Sequence, residues 1–351
     1  MKIKNVLCEK NISTGYLYFY IHFIVEVACF YYLSSLVGDS AFLWIMPLLY
    51  DAIAFVPQSI IGYISDKYPK IKFGIIGVFL VIASFILCFT LNINSVYIPL
   101  LLLCFGNALI HVNGAEVTLT SSEGKMSHSA IFIAGGSFGV VTGKLIAKTV
   151  PYYIVILLML TVIPFILLAE YKRNNKSNKC SKFNYASNKP QWIIILLAFL
   201  VVISRSYMGY GIPTSWNKSI METILLYSFM GIGKALGGIL IDLIGMRKTA
   251  YISVLFSIPF LLFGDNIMIV SLIGVMMFSM TMAITLGLLT SVLKNTPGLA
   301  FGITTIGLFL GTIPIFIVKI TSFTLNSIII LSISLLCLIM LMTIIKKEKK
   351  V

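Results

Sequence analysis

Charged side chains are scarce in this sequence. They make up 11% of it, where a soluble globular domain carries roughly 25%. With 59% hydrophobic residues and a mean hydropathy of +1.01, the chain is expected in a lipid bilayer. Acidic residues are scarcer still: 12 Asp and Glu stand against 26 Lys and Arg, a net charge of +14. That excess would suggest nucleic acid if it formed a patch. Instead the basic residues fall between apolar runs and at the two ends, where they report membrane orientation, so no nucleic-acid partner is expected. Cysteine is limited to Cys8, Cys29, Cys88, Cys104, Cys180 and Cys337, with no CxxC pair. This argues against a disulfide framework or a metal site. No small-residue cleavage signature follows the first apolar run, so no signal peptide is expected. No nucleotide-binding loop is visible, and no cofactor is expected. The abundance of Lys, Ile and Asn fits an AT-rich bacterial genome.

What the sequence has in quantity is long apolar runs. A membrane-crossing helix needs about 20 mostly apolar residues. Read on that rule, the sequence offers twelve candidates, the ninth of them short: 15–37, 41–64, 73–93, 96–121, 129–150, 151–169, 191–212, 222–243, 249–264, 267–291, 297–318 and 325–345. The expected fold is therefore an all-α integral membrane protein of twelve transmembrane helices. With both termini on one side, that side receives 20 Lys and Arg and the other receives 3, while Lys144, Arg205 and Lys234 lie inside the runs. The asymmetry places both termini in the cytoplasm and a multi-pass protein in the cell membrane. Residues 170–190, rich in Asn, Ser and Lys, read as a flexible cytoplasmic linker. They divide the chain into two six-helix bundles, 1–169 and 191–351. The other loops are too short to form a separate domain.

Polar residues inside the runs are few and periodic. Charges there are costly in lipid and face protein or water. They are Glu26, Asp51, Glu116, Lys144, Arg205 and Lys234, joined by His22 and His111, and they fall in runs 1, 2, 4, 5, 7 and 8. Runs 3, 6, 9 and 12 carry none, which predicts an outer lipid-facing layer around a polar interior. Glycines recur at four-residue spacing: Gly135, Gly139 and Gly143 in run 5, Gly233 and Gly237 in run 8, and Gly298 and Gly302, then Gly307 and Gly311, in run 11. Such spacing predicts close helix contacts.

Between runs 2 and 3 stands Gly62-xxx-Asp66-Lys67-x-x-Lys70-x-Lys72. A weaker copy, Gly238-xxx-Asp242-x-x-Gly245-x-Arg247-Lys248, follows 176 positions later, between runs 8 and 9. Two copies half a chain apart imply an internal repeat. Together with the helix count and the central basic loop, they resemble the major facilitator superfamily over nearly the whole chain. Pro69 and Leu243 depart from its motif. The resemblance implies that Asp66 latches onto the N-terminus of helix 11 near Pro297–Gly298. It implies that Asp242 does the same at the start of helix 5, near Ser127 to Ser129. Both contacts would close the cytoplasmic side and break in each cycle. A narrower resemblance, Gly106-Asn107-Ala108-x-x-His111-x-x-Gly114 followed by Ala134-Gly135-Gly136-x-x-Gly139 and Arg205-Ser206, is to the fosmidomycin-resistance-like branch. That branch has proline where Val112 and Lys144 stand, and its second proline is associated with exchange against protons.

In the family, helices 1, 4, 7 and 10 line a midplane cavity between two rocking halves. The resemblance thus nominates His22, Glu26, His111, Asn113, Glu116 and Arg205 for the substrate and proton pathway, with Asp51, Lys144 and Lys234 at its edge. His22 and Glu26, four apart, share a helix face and compete as proton carriers, with a static pair as the alternative. Arg205 suits a carboxylate or phosphonate or pairs with Glu26 or Asp51. His111 touches substrate or packs helix 4. Glu116 lies toward the cytoplasmic gate. Tyr207, Tyr210 and Trp216 read as interfacial aromatics. The leading expectation is a proton-coupled exporter of a drug or metabolite, an antiporter, monomeric and embedded in membrane lipid. An importer of a small organic anion is its rival. A membrane enzyme using His111 and Glu116 on a lipid is the reading from another class; it lacks a compact His/Asp cluster at a membrane face.

Overall fold

In a bilayer every backbone N–H and C=O must be satisfied within the protein, so apolar runs fold as helices. The computed structural model describes residues 13–36, 45–91, 97–174, 180–318, 320 and 322–347. Its spans are α1 (Ser13–Leu36), α2 (Ile45–Lys67), α3 (Phe73–Thr90), α4 (Tyr97–Ser121), α5 (Ser127–Ile146), α6 (Tyr152–Asn174), α7 (Gln191–Gly211), α8 (Ile220–Ile244), α9 (246–262), α10 (Met268–Val292), α11 (Pro297–Ile317) and α12 (Phe323–Ile344). Among the described residues, eleven helices are long and apolar enough to cross a membrane. The exception to the expected twelve is α9, the shortest run. It consists of Met246–Ala250, a π-helical turn at Tyr251–Leu255, and Ser257–Leu262. Pro259 cannot donate to the carbonyl four residues back, which favours a break just before it.

Local chemistry sets other boundaries. At α8, Ser219 and Glu222 form a reciprocal capping box, which starts the helix two residues before the expected 222. Gly245 ends it at φ 88°, a conformation side chains disfavour. The larger difference is in α6, which runs to Asn174. Glu170 and Arg173, assigned by sequence to the linker, are therefore on its last turn.

The expected outer layer is largely present. Among the described residues, none of α3, α6 or α12 lines the central cavity, and from α9 only Leu261 does. The glycine stripes mark where helices approach closely. A Cβ at Gly135 or Gly143 would sit 2.5 Å from the carbonyl oxygens of Phe19 and Val27, and one at Gly139 would meet that of Phe23. Three glycines of α5 thus seat three successive carbonyls of α1, one per turn. The two halves meet mainly where α5 packs on α8 and α2 on α11.

The described part of the linker is anchored, contrary to the flexible segment expected. Phe183 is buried. The Ser181 amide donates to the Lys294 carbonyl (2.9 Å), the Tyr185 amide to Ser291 Oγ (3.0 Å) and the Lys346 amide to the Tyr185 carbonyl (2.8 Å). Ala186 bridges to Ile345. The Tyr185 hydroxyl donates to the Gly124 carbonyl at 2.9 Å. Burial raises its pKa, with Asp242 adding to the effect, so it stays a donor.

Candidate functional site: a sealed central cavity

One end of the bundle is rich in lysine: Lys67, Lys70, Lys72 and Lys248 are all exposed there. It is also the closed end. Asp66 accepts the Gly298 amide at 3.0 Å and the Leu299 amide at 2.9 Å. Asp242 accepts the Met126 amide at 2.8 Å and the Ser127 amide at 2.9 Å. The first amides of a helix have no partners of their own and carry its positive dipole end, so a carboxylate satisfies both needs. Glycine makes each contact possible. A Cβ on Gly62 would collide with the Gly298 backbone, and one on Gly238 would meet Ala130 and the Met126 carbonyl. Arg247 is half-buried behind Gly245.

A second polar layer lies next to the first contact. The Arg173 guanidinium sits 2.7 Å from Glu116 and 3.5 Å from Glu170. Ser65 donates to Glu116 at 2.5 Å. Asn113 donates to Glu170 at 2.6 Å and accepts the Tyr18 hydroxyl at 2.6 Å. This buried network joins α1, α2, α4 and α6. Asn113 and Glu116 belong to it, and neither lines the cavity.

The cavity itself, about 420 Å³, opens between the halves. Its lining extends to Leu33, Pro47, Ile212 and Phe316, which lie at the ends of α1, α2, α7 and α11 opposite the lysine-rich end. It is therefore closed where the Asp contacts are and extends the other way. His22, Glu26, Asp51, His111, Lys144, Arg205 and Lys234 all line it. Tyr210, expected at the membrane interface, lines it too.

Two kinds of chemistry face each other there. On the N-terminal half, α4 brings His111 Nε2 to 3.2 Å from Glu26 Oε1, while His22 Nε2 lies 3.8 Å from the same oxygen. The imidazoles meet edge to face, with centroids 4.3 Å apart. Asn107 donates to Glu26 at 3.2 Å and also bonds the Tyr50 hydroxyl. Lys234, on α8 of the C-terminal half, donates to Ser137 Oγ of α5 at 2.8 Å. Lys144, on α5 of the N-terminal half, donates in turn to the Tyr227 hydroxyl of α8 at 3.3 Å and rests over the rings of Phe30 and Tyr227. Arg205 is buried, with Nε and Nη2 lacking any hydrogen-bond partner. Sequence reasoning did not single out Asn107, Tyr50, Ser65 or Arg173. Asn107 stands inside the Gly-Asn-Ala segment already quoted; the others give no local signal.

No family model matches the chain, and no curated protein matches it. Solved structures do. The E. coli fucose:proton symporter superposes with a TM-score of 0.65 at 14% identity, covering 95% of this chain and 99% of that one. The fold is that of a major facilitator superfamily transporter. The human organic anion transporter MFSD10 superposes at 0.65 with 13% identity, covering 94% and 100%. A bacterial homologue of the iron transporter ferroportin, in an outward-facing state, superposes at 0.60 with 12% identity, covering 95% and 99%.

Proposed function

We propose that this chain is a secondary transporter that moves a small molecule across the cell membrane by alternating access. One observation carries the reading. A cavity between two halves, its largely apolar wall set with charged and histidine side chains, is sealed at one end by two repeat-related contacts, each an Asp on a helix N-terminus of the other half. Such contacts suit an interface that separates and re-forms, because water can take over the freed amides and carboxylates. With the lysine-rich end in the cytoplasm, the described state opens outward and the Asp contacts are its inner latch. The fold's other representatives, among them a fucose:proton symporter, support transport over lipid enzymology.

Within that reading, protons supply the energy. Glu26 is flanked by two histidines in the cavity and is the proposed proton site, and export of a drug or metabolite is the proposed direction. The test is flux in proteoliposomes with a compound panel that includes fosmidomycin. Asp66→Asn should cut flux at least severalfold while folded protein is retained, because neutralising one latch removes roughly 1 kcal/mol from the outward state. Unchanged flux would reduce residues 62–72 to a topology signal. Glu26→Gln should abolish the response to an imposed pH gradient. A variant that keeps the wild-type pH response would remove Glu26 from coupling.

A second reading, import of a small organic anion, is favoured by Arg205. Its unpartnered nitrogens in a buried cavity wall suit a carboxylate or phosphonate. The same panel separates the two by the direction in which a pH gradient drives accumulation.

A further inference from the structure

We propose that His22, Glu26 and His111 form a binding site for a first-row divalent metal ion, open to the central cavity. The argument starts from the far side of each ring. His22 Nδ1 lies 2.9 Å from the Phe132 carbonyl, and His111 Nδ1 lies 3.0 Å from the Asn107 carbonyl. A carbonyl oxygen only accepts, so both Nδ1 atoms carry the hydrogen. In the neutral rings, both Nε2 atoms are then acceptors, and they lie 3.8 and 3.2 Å from Glu26 Oε1, an acceptor as well. Three acceptor atoms thus lie within 4.8 Å of one another, on three buried residues.

Acceptors held together this way repel one another, and a cation among them relieves that repulsion. A single shared proton satisfies only part of the set: His111 is at hydrogen-bond distance from Oε1, but 3.8 Å for His22 is too long for one. A metal ion fits the spacing better. Metal–nitrogen and metal–oxygen bonds of about 2.0–2.2 Å in tetrahedral geometry put neighbouring ligand atoms roughly 3.3–3.6 Å apart. Two of the three separations, 3.2 and 3.8 Å, straddle that value, and the third, between the two Nε2 atoms, is within 4.8 Å.

The surroundings have the form of a metal site's outer shell. Ligating histidines typically donate their other N–H to a backbone carbonyl or carboxylate, fixing tautomer and orientation. Both rings do so here, and Asn107 holds the carboxylate. Gly136 makes room for the ring: a Cβ there would lie 2.5 Å from His22 Nε2 and 2.6 Å from its Cε1, so any side chain would crowd that edge of the imidazole. Two imidazoles and one carboxylate select zinc- or iron-like ions over calcium and magnesium. Three protein ligands leave a coordination position free, as in reactive sites, and the triad lines the cavity. This inference does not depend on what is transported or in which direction.

The test is titration of the purified full chain with Co²⁺, using an affinity tag without histidine. One ion per chain is expected, with visible d–d bands of low coordination number and no thiolate charge-transfer band from Cys29, whose thiol sits near Asn107. His111→Ala should weaken binding by more than the roughly 10–100-fold that losing an outer-shell partner costs. Glu26→Gln, nearly isosteric, should weaken it as well if His111→Ala fails to fold. His128→Gln, outside the triad, should leave it unchanged. Wild-type protein without saturable binding, or binding indifferent to Glu26→Gln, overturns the proposal. So does a thiolate band, or loss of binding in His128→Gln.

Discussion

At the level of single residues, the sequence and the structure agree on types and differ on partners. His22 and Glu26 were legible as a pair because four-residue spacing puts them on one helix face. His111 lies 85 positions beyond Glu26 in sequence, and nothing local says that its ring reaches the same oxygen. Arg173 shows the limit more sharply. In a stretch rich in Asn and Lys it reads as one more solvated base, yet its guanidinium holds two carboxylates that are almost fully buried. Removing one partner of such a group leaves uncompensated buried charge, at a cost of about 3–5 kcal/mol. Arg173→Ala should therefore lower the thermal midpoint of the purified protein markedly. Adding Glu116→Gln should restore part of the loss, because the two effects share one interaction. Equal, additive losses would mean that Arg173 is merely a surface base.

At the level of helices, hydropathy located the spans well because lipid leaves the backbone no alternative to helix. Their ends and interruptions depend on finer chemistry. The capping box at Ser219 and Pro259 in α9 are visible in sequence once their mechanism is considered. The extension of α6 to Asn174 is not, since its last turn is held by α4, a tertiary partner. The glycine stripe of α5 lies between these cases: spacing announces a close contact, and only the structure identifies the partner as α1. That contact is tight enough to test. Gly139→Leu should destabilise the protein by about 1–3 kcal/mol through overpacking, and Gly139→Ala by less, both read by thermal unfolding in detergent. If the leucine variant unfolds like the parent, α1 and α5 are not in contact at that register.

At the level of the whole molecule, the charge-free runs 3, 6, 9 and 12 stay almost wholly out of the cavity, but runs 10 and 11 carry no charge either and line it, so absence of charge alone did not separate the two layers. The sealed end came through family resemblance rather than periodicity: the resemblance points to Pro297–Gly298 for Asp66 and to Ser127–Ser129 for Asp242, and the structure adds Leu299 and Met126 as the second donors. The anchored linker was hidden because its few apolar residues, Phe183 and Tyr185, are outnumbered by polar ones. Its attachment has a mechanical consequence. Among its hydrogen bonds named above, those of Ser181, the Tyr185 backbone and Lys346 stay within the C-terminal half, and one reaches Gly124. In the proposed cycle this segment rides with the C-terminal half, and rocking breaks that one bond. Losing one such bond per stroke costs about 0.5–1.5 kcal/mol, so Tyr185→Phe should leave the protein folded and quicken counterflow by up to severalfold; turnover identical to wild type would show that the bond to Gly124 does not restrain the parting of the halves.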